Sequence, residues 1–358
     1  MFGLYRFCLS LAVVTNHLLA IPILGHYAVH GFFILSGYLM TLIMVKTYGY
    51  SAAGIGRFCL NRILRLYPAY WVILAFSILA ILWFGEENST KYRTFMFIPE
   101  NISQWLQNLT LTYWSTFPTT VLPRVSPPTW ALTVEILFYA LIALGISRSR
   151  TLTTAWLLTS MAFMLTTHIL GLSYGYRYDF VFAGTLAFSL GAMIFHYQEL
   201  LCAFTARHKK STLTAGVLTL IAINCSTALI CGGDGAANTV AIVCFYTNYM
   251  LNATLIILLI NPNPPVKLKK IDKMLGDFSY PLYLMHWQVG FVCSMLIFGA
   301  PINGASIPGI QNFIVTLFVS LLFCNLIIKS IELPIQKIRG RLKSAGIGVS
   351  ASKGASGA

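Results

Sequence analysis

FCLSLAVVTNHLLAIPIL, residues 7–24, decides the fold of this chain. It holds no charged residue and is about as long as the roughly 20-residue apolar stretch a spanning helix needs. One imidazole interrupts it. His17 sits where burial in hydrocarbon is expensive, and ionisable groups at such positions mark a substrate path or a reaction centre. Arg6 lies just before the stretch. Eleven helical steps of about 100° return to within roughly 20° of the same face, so Arg6 and His17 share one side of the helix. At about 1.5 Å per residue they stand roughly 16 Å apart, from membrane edge to membrane middle.

Working outward, the chain repeats this apolar character. Of its 358 residues, 57% are apolar and 9% charged, against about 25% charged in soluble domains. The mean hydropathy is +0.74. Apolar runs fall at 7–24, 27–46, 67–85, 129–147, 152–172, 178–197, 212–231, 239–261, 279–299 and 310–330. The expectation is an all-α polytopic membrane protein of about ten transmembrane helices, the first two joined as a hairpin at Gly25 and His26. If the N-terminus is cytoplasmic, only Lys91, Arg93, Arg124 and Arg177 of the 24 Lys and Arg fall on the opposite side. That asymmetry predicts both termini in the cytoplasm. It also explains the net charge of +14 without a nucleic-acid partner. The partners expected instead are membrane lipids and small molecules.

Three further features bound the reading. The eight cysteines show no metal-ligand spacing and read as small apolar residues, so no metal is expected. The first apolar stretch lacks a basic leader and reads as a retained span, not a signal peptide. The outer loop at 86–128 contains Tyr113, Trp105, Trp114 and Pro99, Pro118, Pro123 and Pro127, with Pro128 at its edge. It reads either as an ordered lid or re-entrant segment, or as an aromatic belt. The Gly/Ser/Ala-rich residues 344–358 are expected to be a flexible tail after a membrane domain at 1–343. No internal repeat is evident, which weighs against an inverted-repeat transporter.

Several side chains could carry chemistry. A neutral imidazole at His17 can take a proton as a general base. Glu135 is the one carboxylate well inside a predicted span, about 9 Å below Thr129. Buried there, it must pair or be protonated. Orienting an imidazole, holding a ligand hydroxyl or pairing with an arginine would each satisfy it. Arg62 and Arg65, spaced i, i+3, share a face at the cytoplasmic edge. They suit phosphate oxygens, or serve simply as positive-inside anchors. Ser36 and Gly37 form a small-residue step that admits a ligand or a neighbouring backbone. His286 lies about 12 Å into the ninth span with Tyr283 on its face, and a core histidine bonded to tyrosine is the plain alternative.

Taken together, five segments resemble the acyltransferase 3 family of integral membrane acyltransferases. RFCLSLAVVTNH (6–17) is similar to its R-x10-H first helix. GFFILSGYLM (31–40) resembles its FF-x-x-SG element, and RILRLYP (62–68) its R-x-x-R-x-YP element. WALTVEILFY (130–139) resembles W-x-L-x-x-E-x-x-FY, and SYPLYLMH (279–286) resembles SY-x-x-YL-x-H. The resemblance implies transfer of an acyl group, usually acetyl, from cytoplasmic acyl-CoA to a hydroxyl of an extracytoplasmic glycan. By the same resemblance, His17, Glu135 and Arg6 are expected in the catalytic centre. Arg62, Arg65, Tyr67, Ser36 and Gly37 are expected to bind the donor, with Trp130, Tyr139, Tyr283 and His286 as further site residues. The chain lacks the acidic residue the family often places just before the first arginine, and it carries His30 before the FF pair.

The expectation is an O-acetyltransferase of the bacterial inner membrane. Acetyl-CoA would be its acyl-donor substrate, and a surface polysaccharide such as lipopolysaccharide O-antigen, or a lipid-linked saccharide, its acceptor. His17, aided by Glu135, would be the base. No fused esterase-like domain is expected, so the acceptor would come to the membrane. Direct transfer and an acyl-His17 intermediate both remain open. The alternatives are a transporter of a lipid-linked sugar or anion, and a non-catalytic scaffold. The first predicts flux without thioester cleavage; the second predicts that His17→Ala leaves function intact.

Overall fold

A computed structural model of the protein describes residues 1–113, 122–231, 238–260 and 265–342. Trp114, Pro118 and the tail expected at 344–358 lie outside the described residues. Among the described residues the chain is helical and contains no strand. In order the helices are α1 (Phe2–Leu19), α2 (Leu24–Ile43), α3 (Ala52–Phe84), α4 (Glu86–Tyr92), α5 (Ile102–Thr110), α6 (Trp130–Ala143) and α7 (Arg150–Ile169). They continue with α8 (Gly175–Tyr178), α9 (Thr185–Thr205), α10 (Lys210–Ile230), α11 (Thr239–Leu259), α12 (Val266–Phe298) and α13 (Ile307–Ile327).

Each of the ten apolar runs becomes one of the longer helices. Eight are long and apolar enough to cross a membrane. The other two are α6, a shorter apolar helix, and α7, whose 20 residues include six threonines. Two starts lie far upstream of expectation. The third helix begins at Ala52, not 67, and the ninth run begins at Val266, not 279. Charged residues end the apolar run in NRILR and KLKKIDK, but Lys, Arg and Leu are strong helix formers, so the backbone helix continues beyond the hydrocarbon. Pro68 and Pro281 consequently lie inside their helices.

Two close helix pairs build the frame. α1 and α12 run parallel in one register: Leu4 N donates to Asp272 Oδ1, Ser10 Oγ donates to the Ser279 carbonyl, and His17 meets His286. The register is set where Gly3 meets Gly276. A Cβ on Gly276 would lie 2.8 Å from the Gly3 Cα, and one on Gly3 only 1.7 Å from the Asp272 carbonyl oxygen. α2 and α9 pack just as closely and run parallel, from Phe33 stacked on Phe188 to Tyr38 bonded to Gln198. A Cβ on Gly37 would lie 2.2 Å from the Phe188 oxygen, and one on Gly191 1.9 Å from the Ile34 oxygen. In hydrocarbon, where apolar burial gives little drive between helices, such backbone contact is what packing can gain.

The segment between α3 and α6 folds back into the bundle. Three side chains of α3 cap the carbonyl end of α5: Tyr67 Oη donates to Thr110 O at 2.6 Å, Trp71 Nε1 to Leu109 O at 3.0 Å, and Tyr70 Oη to Asn108 O. These carbonyls have no partner within their own helix, which is why the donors matter. Tyr70 lies fourteen residues before the end of α3, so α5 reaches about 21 Å down that helix. The buried Asn108 side chain ties in the returning chain through Pro123 O and Val125 N. The described parts of this loop are thus ordered against the bundle, and residues 114–121 lie outside the described residues. Both ends of the described chain gather at one end of the bundle. Arg6 lines a cavity with Arg62 and Arg65 of α3, and Arg339 bonds Asn61.

Candidate active site

At that end of the bundle α1, α2, α3, α6 and α12 enclose a cavity of about 130 Å3. Three guanidinium groups reach it: Arg6, Arg62 and Arg65. The charge is only partly compensated. Arg65 forms an ion pair with Glu332 at 2.9 Å and stacks on Tyr280, 5.1 Å from its ring centroid. Arg62 donates to Asn61 Oδ1 at 2.6 Å. The buried Nε atoms of Arg6 and Arg62 have no partner among the described residues. Such forks, held in place but not fully used, are suited to an anion's oxygens.

Glu135 faces the same cavity from α6. Its Oε1 accepts from Ser36 Oγ at 2.9 Å and its Oε2 from Tyr139 Oη at 3.0 Å. The carboxylate therefore does not orient His17, as the sequence suggested, because two nearer hydroxyls satisfy it. Nor does it pair directly with an arginine: among the described residues the ion pairs are Arg65–Glu332 and Lys91–Glu87.

His17 has a different partner. Its Nδ1 lies 2.8 Å from His286 Nε2, and the rings stack with centroids 5.1 Å apart. His286 is fully buried, and its Nδ1 lies 2.8 Å from the Tyr283 carbonyl oxygen. A carbonyl can only accept, which assigns the proton of neutral His286 to Nδ1. His286 Nε2 must then accept, so His17 Nδ1 donates to it. That leaves His17 Nε2 with a free lone pair. The side chain keeps partial surface access. The hydroxyl of Tyr283 is engaged elsewhere, with Pro128 O at 2.7 Å. The expected histidine–tyrosine hydrogen bond is thus made by the Tyr283 carbonyl, not by its hydroxyl.

The sequence-predicted residues divide into groups. Arg6, Ser36, Arg62, Arg65, Glu135, Tyr139 and Tyr283 line one cavity. His17 and His286 form a relay next to it, joined through Tyr283. Three lie elsewhere. Gly37 packs on the α9 backbone, since only a residue without Cβ fits there. Tyr67 caps α5. Trp130 stacks edge-on against Tyr178 with centroids 5.1 Å apart. Two lining or supporting residues escaped the sequence reading. Tyr280 was hidden inside a motif read for its ends. Glu332 falls just past the last apolar run, in a segment otherwise read as a cationic anchor, and its buried charge shows only once Arg65 is placed against it.

Residues 3–329, nearly the whole chain, match the family model of the acyltransferase domain of the acyltransferase 3 type. No curated protein and no solved structure matches the chain.

Proposed function

The chain belongs to the acyltransferase 3 family, and on that premise we propose that it is a membrane O-acetyltransferase moving acetyl from cytoplasmic acetyl-CoA to a hydroxyl of an extracytoplasmic glycan, in a bacterial inner membrane with both termini inside. The observation that carries this reading is the division of labour along α1. One end presents Arg6 to a three-arginine cavity. The other presents His17 with an unprotonated Nε2, about 16 Å away along the helix.

In this account Arg6, Arg62 and Arg65 take the phosphates of the donor, and the acyl arm runs past Tyr283 toward His17. The acceptor oxygen attacks the thioester carbon as its proton passes to His17 Nε2. The tetrahedral intermediate expels the thiolate, which takes that proton back from the imidazolium. The products are the ester and the coenzyme A thiol. Placing the base and both reactants in one geometry supplies the proximity term, and the positioned base supplies a further factor of about 10²–10⁴. His286 is the positioning residue that holds His17 in the useful tautomer. Glu135, fixed by Ser36 and Tyr139, shapes the donor cavity.

The test is thioester turnover by the purified protein. With acetyl-CoA and extracted surface glycan, free coenzyme A and ester on the glycan should appear together, in equal amounts. Acetyl-CoA that neither binds nor is cleaved would remove this reading and leave the transporter, which needs no thioester.

A further inference from the structure

Two of the four cations on the opposite side from the donor cavity are built into one cluster. Arg93 follows α4, and Arg124 lies on the returning chain before α6. Both stack on the Phe95 ring: the Arg93 guanidinium carbon lies 4.7 Å from its centroid and that of Arg124 4.5 Å. Backbone bonds lock the arrangement, since Met96 N donates to Arg93 O and Arg124 N to Phe95 O, both at 2.9 Å. Arg93 also lies 5.0 Å from the Trp287 ring, and that indole packs 5.3 Å from His17. A single ring therefore separates this cluster from the imidazole.

The arginines are held but not used. The Nε atoms of both are buried without a hydrogen-bond partner among the described residues, and neither forms an ion pair there. The one carboxylate with an electrostatic influence on Arg124 is Asp179, which stays beyond ion-pair distance. Positive charge stacked on aromatic faces, with a buried Nε donor unspent on each guanidinium, carries a desolvation cost that a bound anion would offset. The cluster is not part of the donor cavity. From Arg65 to the end of α3 at Phe84 is about 29 Å of helix, and Arg93 lies beyond that end.

We infer that Arg93 and Arg124 form an acceptor-side anion site, which holds a carboxylate or phosphate of the acceptor beside the hydroxyl presented to His17. The acceptor is then an anionic saccharide: either an acidic sugar or a sugar carried on a lipid diphosphate. The role as acceptor site rests on the acyltransferase reading; the existence of the anion site does not. A neutral glycan would leave both guanidiniums without their partner and should be a poor substrate.

The test titrates detergent-purified full-length protein, saturated with coenzyme A to fill the other arginine cavity. The probes are methyl β-D-glucuronoside, inorganic pyrophosphate and, as neutral control, methyl β-D-glucoside. Arg93→Gln and Arg124→Gln are measured beside the wild type, with coenzyme A binding as a check on the rest of the fold. The expected result is binding of glucuronoside or pyrophosphate but not glucoside, weakened about tenfold or more in each variant, with coenzyme A affinity unchanged. Preference for glucuronoside identifies an acidic sugar; preference for pyrophosphate identifies a lipid-linked diphosphate. Where a variant fails to fold, protection of wild-type Arg93 and Arg124 from phenylglyoxal by the bound probe, read by mass spectrometry, replaces it. No binding of either anion, binding that survives both substitutions, or absence of protection overturns the site. Failure of coenzyme A to bind would instead strike the acyltransferase reading and leave the anion titration to stand on its own.

Discussion

Replacing His286 with two different amides separates its two hydrogen bonds. His286→Asn would place an amide near the position of the imidazole Nδ1, keep a donor for the Tyr283 carbonyl and withdraw the acceptor from His17. In His286→Gln the longer side chain reaches the Nε2 position and can still accept from His17 Nδ1. The wild-type bonds are both 2.8 Å, so the loss is that of a well-formed contact. A buried donor left unpaired costs about 1–3 kcal/mol. Each 1.36 kcal/mol is tenfold in rate, so His286→Asn should lower kcat by about 5- to 150-fold. His286→Gln should retain most of it. The KM for acetyl-CoA should hold in both, because the arginines lie at the far end of α1. The assay is coenzyme A release at saturating glycan, with variants first checked for folding. Wild-type turnover by the His286→Asn variant, or equal losses in both, would refute the relay.

Glu332→Gln removes the only ion-pair partner of Arg65 among the described residues. The Arg65 side chain is 17% exposed, so an uncompensated charge there should destabilise by about 3 kcal/mol or less, read as a lowered Tm. Gly276→Ala forces α1 and α12 apart at a contact of 2.8 Å and should cost about 1–3 kcal/mol. It should also weaken turnover by disturbing the register of His17 on His286; unchanged Tm and kcat would remove that packing argument. Burial pushes the Asp179 carboxyl up to about 6, against the opposing pull of Arg124. The folded protein thus prefers the protonated form, and stability contributed by this group falls as pH rises through its unfolded value toward 6 and stays low above it. Asp179→Asn should accordingly raise Tm more at pH 7.5 than at pH 5, and equal shifts at both would contradict this.

Much of the frame was legible because a bilayer imposes length and polarity on each helix. All ten apolar runs fell on helices, and Arg6, Arg62, Arg65, Ser36 and Glu135, singled out by motif in separate segments, line one cavity. What escaped was set by contacts far apart in sequence. His286 and His17 meet only because Gly3 and Gly276 fix the register of α1 on α12, and no local spacing encodes that. Glu135 was expected near His17, yet it faces the arginine cavity, where Ser36 and Tyr139 bind it. The Ser36–Gly37 step was ambiguous because neighbouring helix positions face different ways. Ser36 turns to the cavity and Gly37 to α9. The starts of α3 and α12 were misplaced because hydropathy reports the hydrocarbon boundary, while helix propensity carries the backbone past it.

The most direct measurement of the central claim is single-turnover coenzyme A release by His17→Ala beside wild type, with glycan present and acetyl-CoA binding measured in the same preparations. The account predicts donor binding like that of wild type and release slowed by about 10²-fold or more. Release at the wild-type rate from a folded His17→Ala protein would show that the proton goes elsewhere, and the relay built on α1 and α12 would lose its role.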